Sequence, residues 1–231
     1  HLTLNADGSY SYVADTAAAD ALGNGVTATD TFSYAISDGE GGTAFTTLTI
    51  TLTGTNDTPT VNAVLGDVTQ ADSTVVSIAT NGGFVDLDSD NVFGYSASGL
   101  PTGLSIDPVS GLISGTLNAD ASQGGPGNDG VYSITVTATD SQGATISQTF
   151  TFTATNPAPV AQPDTGAVNE DATLTVTAAN GVIQSGGVPA GLDSDIDGDS
   201  LTVIGVTTGT AANTAAVGTN NVGGSLLGTY G

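Results

Sequence analysis

Apolar residues alternate with threonine and serine along much of this chain. In Phe32-Ser33-Tyr34-Ala35-Ile36 and Leu48-Thr49-Ile50-Thr51-Leu52 every second side chain falls on one apolar face. The segments Val131-Tyr132-Ser133-Ile134-Thr135-Val136-Thr137, Phe150-Thr151-Phe152 and Leu174-Thr175-Val176 repeat the pattern. A period of two is that of a β-strand with one face buried, and β-branched threonine suits the solvated face. Glycine and Asp-Gly clusters such as Ser37-Asp38-Gly39-Glu40-Gly41-Gly42 and Asn128-Asp129-Gly130 punctuate the runs as turns. No window carries a convincing helical period; the Ala-rich stretch from Asp15 to Leu22 predicts at most one short helical turn. Short strands between turn signals predict an all-β chain of sandwiches.

Two proline-marked joints divide it, Gly54-Thr55-Asn56-Asp57-Thr58-Pro59 and Asn156-Pro157-Ala158-Pro159. Proline stiffens a joint and cannot donate to a ladder. The expected pieces are residues 1–58, 59–156 and 157–231, the middle one a complete sandwich. The outer two read as halves of another. Placed end to start, Gly228-Thr229-Tyr230-Gly231 followed by His1-Leu2-Thr3-Leu4-Asn5-Ala6-Asp7-Gly8-Ser9-Tyr10-Ser11-Tyr12 forms one hairpin pattern around an Asn-Ala-Asp-Gly turn. The expectation is therefore one period of a tandem array, with one sandwich split across the termini.

Charge changes the picture. The chain has 23 acidic residues, no Lys or Arg and one His, a formal net charge of −23. Phosphate-backbone binding needs Lys and Arg, so nucleic acid is excluded as a partner, and an anionic membrane surface is disfavoured. No apolar run approaches the ~20 residues of a membrane span, so membrane insertion is not expected. Its own carboxylates repel and find no cationic side chains, which calls for metal cations or salt. There is no cysteine, which removes disulfides and thiolate sites. Without Cys or Lys, and with a lone His at position 1, Ser/His and Cys/His nucleophile systems lack a base, and the chain does not read as an enzyme.

Several of these stretches resemble known families. Residues 1–58 resemble the C-terminal half of the VCBS-type repeat of giant bacterial surface proteins, through Leu2-Thr3-Leu4-Asn5-Ala6-Asp7-Gly8-Ser9-Tyr10, Asp30-Thr31-Phe32-Ser33-Tyr34, Ser37-Asp38-Gly39 and Gly54-Thr55-Asn56-Asp57. Residues 157–231 are similar to that family's N-terminal half, through Asn169-Glu170-Asp171, Asp197-Gly198-Asp199-Ser200-Leu201-Thr202-Val203 and Gly228-Thr229-Tyr230-Gly231. Residues 59–156 resemble a dystroglycan-type cadherin-like, Ig-like module. The matching runs are Gly99-Leu100-Pro101-Thr102-Gly103-Leu104-Ser105-Ile106-Asp107, Gly111-Leu112-Ile113-Ser114-Gly115-Thr116 and Thr139-Asp140-Ser141. The resemblance implies tandem Ig/cadherin-like sandwiches from extracellular adhesins or filaments, commonly calcium-loaded.

Chemistry concentrates in aspartates. Asp193-Ser194-Asp195-Ile196-Asp197-Gly198-Asp199 matches the first half of an EF-hand loop, with alternate Asp and Gly at the sixth position. The twelfth position is Ile204, so the bidentate Glu is missing. By analogy with cadherin-like interdomain sites, Asp164, Glu170 and Asp171 are the candidates to supply oxygens. Asp86-Leu87-Asp88-Ser89-Asp90, with Asp140 from a later strand end, is a second candidate. Asn56-Asp57 resembles the calcium-binding linker of cadherins, and equally reads as a plain turn. Asp38 and Glu40 are expected to cap a hairpin loop.

The leading expectation is a calcium-stiffened spacer in an extracellular bacterial adhesin or surface filament, serving cell adhesion or biofilm. Neighbouring copies of the repeat, head to tail, are its expected partners. Two alternatives remain open here: a module that binds a glycan or protein surface target, and a filament subunit that polymerises by strand complementation.

Overall fold

The computed structural model describes residues 1–88, 93–178, 181–183 and 193–206. The described chain is almost entirely β, as the alternation predicts, and divides into two compact units. One comprises His1–Gln70 with Thr74–Ala154; the other comprises Ala71–Ser73 with the residues from Thr155 onward.

In the first unit, β1 (Leu2–Leu4) and β2 (Tyr10–Tyr12) form the expected hairpin, with Leu2 opposite Tyr12 and Leu4 opposite Tyr10. Asn5 N–H donates to Ser9 O at 2.9 Å, and Gly8 takes the left-handed conformation (φ 85°) that the turn requires. The Ala-rich stretch contributes one helical turn, α1 (Ala17–Asp20), whose N-cap Thr16 accepts from the Ala19 amide at 3.2 Å. The long strands β3 (Thr27–Ser37) and β4 (Thr43–Thr53) pair over their whole lengths. Their turn is closed by Asp38, whose Oδ1 accepts from the amides of Glu40 (2.8 Å) and Gly42 (2.9 Å). Among residues 1–58 only Gly23 and Gly54 are buried, so the apolar stripe of these hairpins is half-covered. At the hairpin tip Phe45 remains 79% exposed.

The remainder of this unit is a complete sandwich. After β5 (Thr60–Val61) come β6 (Val68–Ala71), β7 (Val75–Ala79), β8 (Phe84–Val85), β9 (Gly94–Ser98), β10 (Leu104–Ile106), β11 (Leu112–Thr116), β12 (Val131–Thr139) and β13 (Thr145–Thr155). One sheet has the order β6-β13-β12-β9 and the facing one β10-β11-β7, while β5 pairs with β8. Period two is realised closely on β12 and β13. Ile134, Val136, Ala138, Phe150, Phe152 and Ala154 are buried, with Val76 and Ile113 in the same core. Outward, Thr135 and Thr137 hydrogen-bond across the ladder to Thr149 (2.9 Å) and Ser147 (2.7 Å). Burying one such apolar side chain is worth about 1.5–3 kcal/mol, so this core holds the sandwich together.

The second unit contains no named strand among its described residues from 156 onward. Val160 and Ser194 form an isolated antiparallel bridge with amide bonds of 2.7 and 2.9 Å. Leu174-Thr175-Val176, which reads as a strand, makes no ladder here; Leu174 and Val176 are 49% and 52% exposed. Alternation marks a strand only when a partner supplies the other half of the hydrogen bonds. The predicted hairpin through residues 228–231 lies outside the described residues.

Candidate functional site

The joint Thr55-Asn56-Asp57-Thr58-Pro59 enters the sandwich at the end where three acidic residues are sequestered. Asp86, Asp88 and Asp140 are 5%, 1% and 8% exposed. Register explains the meeting. In the β5–β8 pair Thr60 lies opposite Val85 and Val61 opposite Phe84, so extending the ladder back three residues sets Asp57 opposite Asp88. There the Asp57 amide donates to Asp88 Oδ2 at 3.0 Å. Asp140 begins the turn between β12 and β13, immediately after the Thr139–Thr145 pair. Its Oδ1 accepts from the amides of Gln142 and Ala144, both at 2.8 Å, and its Oδ2 from Asn56 Nδ2 at 2.8 Å. The Asp88 amide donates to Asp86 Oδ1 at 3.1 Å. Asn56, Asp57, Asp86, Asp88 and Asp140, two separate candidates in the sequence, therefore share one end of one sandwich. Asp90 of the same motif lies outside the described residues.

The electrostatics are unusual. Three buried carboxylates meet at this one end of the sandwich, in a chain without a single Lys or Arg. A buried charge is costly unless it is paired or heavily hydrogen-bonded. For Asp140 N–H groups supply the compensation. The Asn56 amide, followed by the backbone N–H groups of Ala144 and Gln142, holds its carboxyl below the ordinary carboxylate range against the opposing effect of burial. Asp88 is less well served: Oδ2 has one donor, and Oδ1 is buried with none. No group of three or more His or acidic side chains among the described residues is arranged to hold an ion as it stands. The cluster offers carboxylate oxygens in a sheltered place, one of them, Asp88 Oδ1, buried without a donor.

In the second unit, Asp193 Oδ1 accepts from the Gln162 amide at 2.7 Å and Asp195 Oδ1 from the Asp197 amide at 3.1 Å. Both Asp197 carboxylate oxygens are shielded from solvent without a donor. The neighbouring Asp195 carboxyl, above all, pushes the Asp197 carboxyl above its ordinary range, with desolvation and the charge of Asp199 acting in the same direction. Gly198 follows in the left-handed region (φ 89°), as the sixth position of such a loop demands. Asp164, Glu170 and Asp171 are exposed and belong to no ion-holding group among the described residues.

Three features escaped the sequence reading. Gln148 occupies an inward position on β13, where its Nε2 donates to Gly83 O (2.7 Å) and Ala63 O (3.0 Å) and its Oε1 accepts from the Leu65 amide (3.1 Å). It straps the loop after β5 onto the sandwich. Gly54, where the joint begins, is so crowded that a Cβ would meet Leu22 O at 2.1 Å and Gly23 O at 2.4 Å. Asp20, at the end of α1, lines the groove that also includes Tyr12, Leu22, Leu52, Gly54 and Asp57. A glutamine amid alternating apolar residues was the available signal for Gln148; nothing local marks Gly54 or Asp20.

Residues 58–155 match the family described as "Putative Ig domain" and residues 1–51 that described as "Bacterial Ig domain". No curated protein matches the chain. Among solved structures, a "putative alpha-galactosidase" from Bacteroides fragilis is similar at 20% identity with a TM-score of 0.33, covering 43% of this chain and 18% of that one. Mouse clustered protocadherin PcdhgC3 EC1–3 is similar at 15% identity with a TM-score of 0.40, covering 68% of this chain and 52% of that one. For Drosophila N-cadherin EC1–3 the values are 19%, 0.30, 46% and 37%. The chain thus spans less than two thirds of each of these structures. The family matches and the strand order agree on an all-β chain of Ig-like domains. No helix of the described residues is long and apolar enough to cross a membrane.

Proposed function

We propose that this chain is a calcium-stiffened structural repeat of an extracellular bacterial adhesin or surface filament, a spacer rather than an enzyme. The observation that carries the reading is the convergence of Asn56, Asp57, Asp86, Asp88 and Asp140 at the entrance to the sandwich. Three of the carboxylates are buried in a chain devoid of Lys and Arg. A bound Ca²⁺ supplies positive charge and directional contacts to six to eight oxygens. The protein's part is to orient the acceptors. The amides of Asp57 and Asp88 hold Asp88 and Asp86, and those of Gln142 and Ala144 hold Asp140. The Asp193-Asp195-Asp197-Asp199 loop, with its donor-free Asp197 carboxylate, is proposed as a second calcium site of the same kind.

Melting of the 231-residue chain in millimolar calcium and in chelator tests this. Calcium at 100 times Kd adds about 2.7 kcal/mol per site; an unchanged midpoint overturns the reading. Scattering from two joined copies should show a stiff rod in calcium and a more flexible particle in chelator. Monovalent salt, which only screens charge over about 8 Å, should not restore the rod.

The half-covered hairpins of residues 1–58 favour a second statement about partners. A two-stranded hairpin is marginal by itself and needs a covered apolar face. Residues 157–231 of a neighbouring copy, joined covalently or by strand complementation, are proposed to cover it. A chain running from residue 157 through such a junction to residue 58 should then fold as a compact monomer, and its disorder would overturn this statement.

A further inference from the structure

The dipeptide Asn-Gly occurs three times, at Asn24-Gly25, Asn81-Gly82 and Asn180-Gly181. Asn180 lies outside the described residues. Glycine places no side chain beside its own amide, so that nitrogen can approach the carboxamide carbon of the asparagine before it. By sequence the first two pairs are equivalent, and both asparagines are exposed. The fold separates them.

At Asn24 both reacting groups are tied down. The Gly25 amide donates to Gly54 O at 3.0 Å, and Asn24 Nδ2 donates to Gln142 Oε1 at 3.0 Å. Asn81 is held by neither kind of bond. The Gly82 amide instead faces the carboxamide of Asn81 itself, with its nitrogen 3.0 Å from Oδ1. Adding the ~1.2 Å of a C=O bond puts the carboxamide carbon within about 4.2 Å of that nitrogen, a short step from attack distance. Gly82 also lies outside the left-handed region, and a Cβ there would meet nothing within 4 Å. Nothing crowds the reaction.

We propose that Asn81-Gly82 is a self-modification site of the native protein, and that the fold protects Asn24-Gly25 from the same reaction. Solvent hydroxide takes the Gly82 amide proton, and the nitrogen's electron pair forms a bond to Asn81 Cγ. The Cγ–Nδ2 bond breaks, and Nδ2 leaves as ammonia with a proton from water. Water then opens the five-membered succinimide at either carbonyl, giving aspartate or isoaspartate. Either product adds a negative charge to a chain without Lys or Arg. Isoaspartate also adds a main-chain CH2 to the short turn Asn81–Gly83. There Gly82 O accepts from Asn62 Nδ2 at 3.0 Å, and Gly83 O accepts from the Asn62 amide at 2.9 Å and from Gln148 Nε2 at 2.7 Å. Isoaspartate therefore displaces the carbonyls that fasten the segment after β5 to the sandwich.

The full-length protein should be aged in mildly alkaline buffer, cut with chymotrypsin and read by mass spectrometry for the gain of one mass unit at each asparagine. Two hydrogen bonds must open before Asn24 reacts, so Asn81 should be modified at least about tenfold faster. In urea-unfolded protein, where neither restraint survives, the two rates should converge. Gly82→Ala, which the open space accommodates, should bring Asn81 down to the rate of Asn24 or below. Hydrogen exchange of the Asn62 amide should quicken as isoaspartate accumulates, and an unchanged rate at full conversion overturns the predicted loosening. Equal rates at Asn24 and Asn81 in the folded protein overturn the proposal. So does a gap that persists in urea, because local sequence and not the fold would then set it. Should G82A not fold, the comparison of folded with unfolded wild type still decides.

Discussion

Asp88→Asn is the sharpest test of why acidic residues are buried at the joint. Asp88 is 1% exposed, its Oδ2 receives the Asp57 amide at 3.0 Å, and its Oδ1 has no donor. Asparagine has the same shape. With its oxygen toward Asp57 N–H it keeps the existing bond, and its NH2 takes the place of the buried oxygen that has no donor while the buried charge is removed. An unsatisfied buried polar atom costs about 1–3 kcal/mol. D88N should accordingly gain about 1 kcal/mol in chelator, an upward shift of about 4–8 °C for a domain of this size. In calcium the substitution removes a charged ligand. A tenfold loss in affinity is about 1.4 kcal/mol, so at a concentration of 100 times the wild-type Kd the increment should fall from about 2.7 to about 1.4 kcal/mol. Calorimetric melting in chelator and in calcium measures both. The reasoning is refuted if D88N is less stable than wild type in chelator, or if its calcium increment is undiminished.

Other outcomes follow from the same packing. Gly54→Ala must displace the Leu22 and Gly23 carbonyls, so it should cost about 1–3 kcal/mol and loosen the entrance to the joint; hydrogen exchange of the Gly25 and Gly54 amides reports it. Gln148→Leu strands two carbonyls and the Leu65 amide and should cost about 2 kcal/mol in urea unfolding. Phe152→Ala, at a fully buried core position, should cost about 3–5 kcal/mol, enough to unfold the sandwich at modest denaturant. Asp107 is held below the ordinary carboxylate range by the Ser110 amide, the Ser110 hydroxyl and the Val109 amide. Its contribution is present above the unfolded carboxylate pKa and lost as pH falls through the lower folded value. D107N should therefore melt below wild type at neutral pH, and the difference should vanish in acid; a gap independent of pH would contradict this.

Local order was legible along most of the chain. Alternation located β3, β4, β12 and β13, Asn5 to Ser9 marked a turn, and the Ala-rich run after Thr16 became the only helical turn of α type among the described residues. These features depend on neighbours within a few residues, where side-chain period and turn chemistry act. Leu174-Thr175-Val176 shows the limit, because it has the pattern of a strand but no ladder among the described residues. A ladder needs a second segment, and no local pattern names it. The candidate site divides in the same way. The residue types were legible: close carboxylates at Asp86 and Asp88, an Asn-Asp at a proline-marked joint, and an aspartate at a strand end. Their union was not, since Asn56 lies 84 positions from Asp140 and Asp57 lies 31 from Asp88. Only the β5–β8 register and the β12–β13 turn bring them to one end of one sandwich, and only burial there turns ordinary aspartates into costly ones.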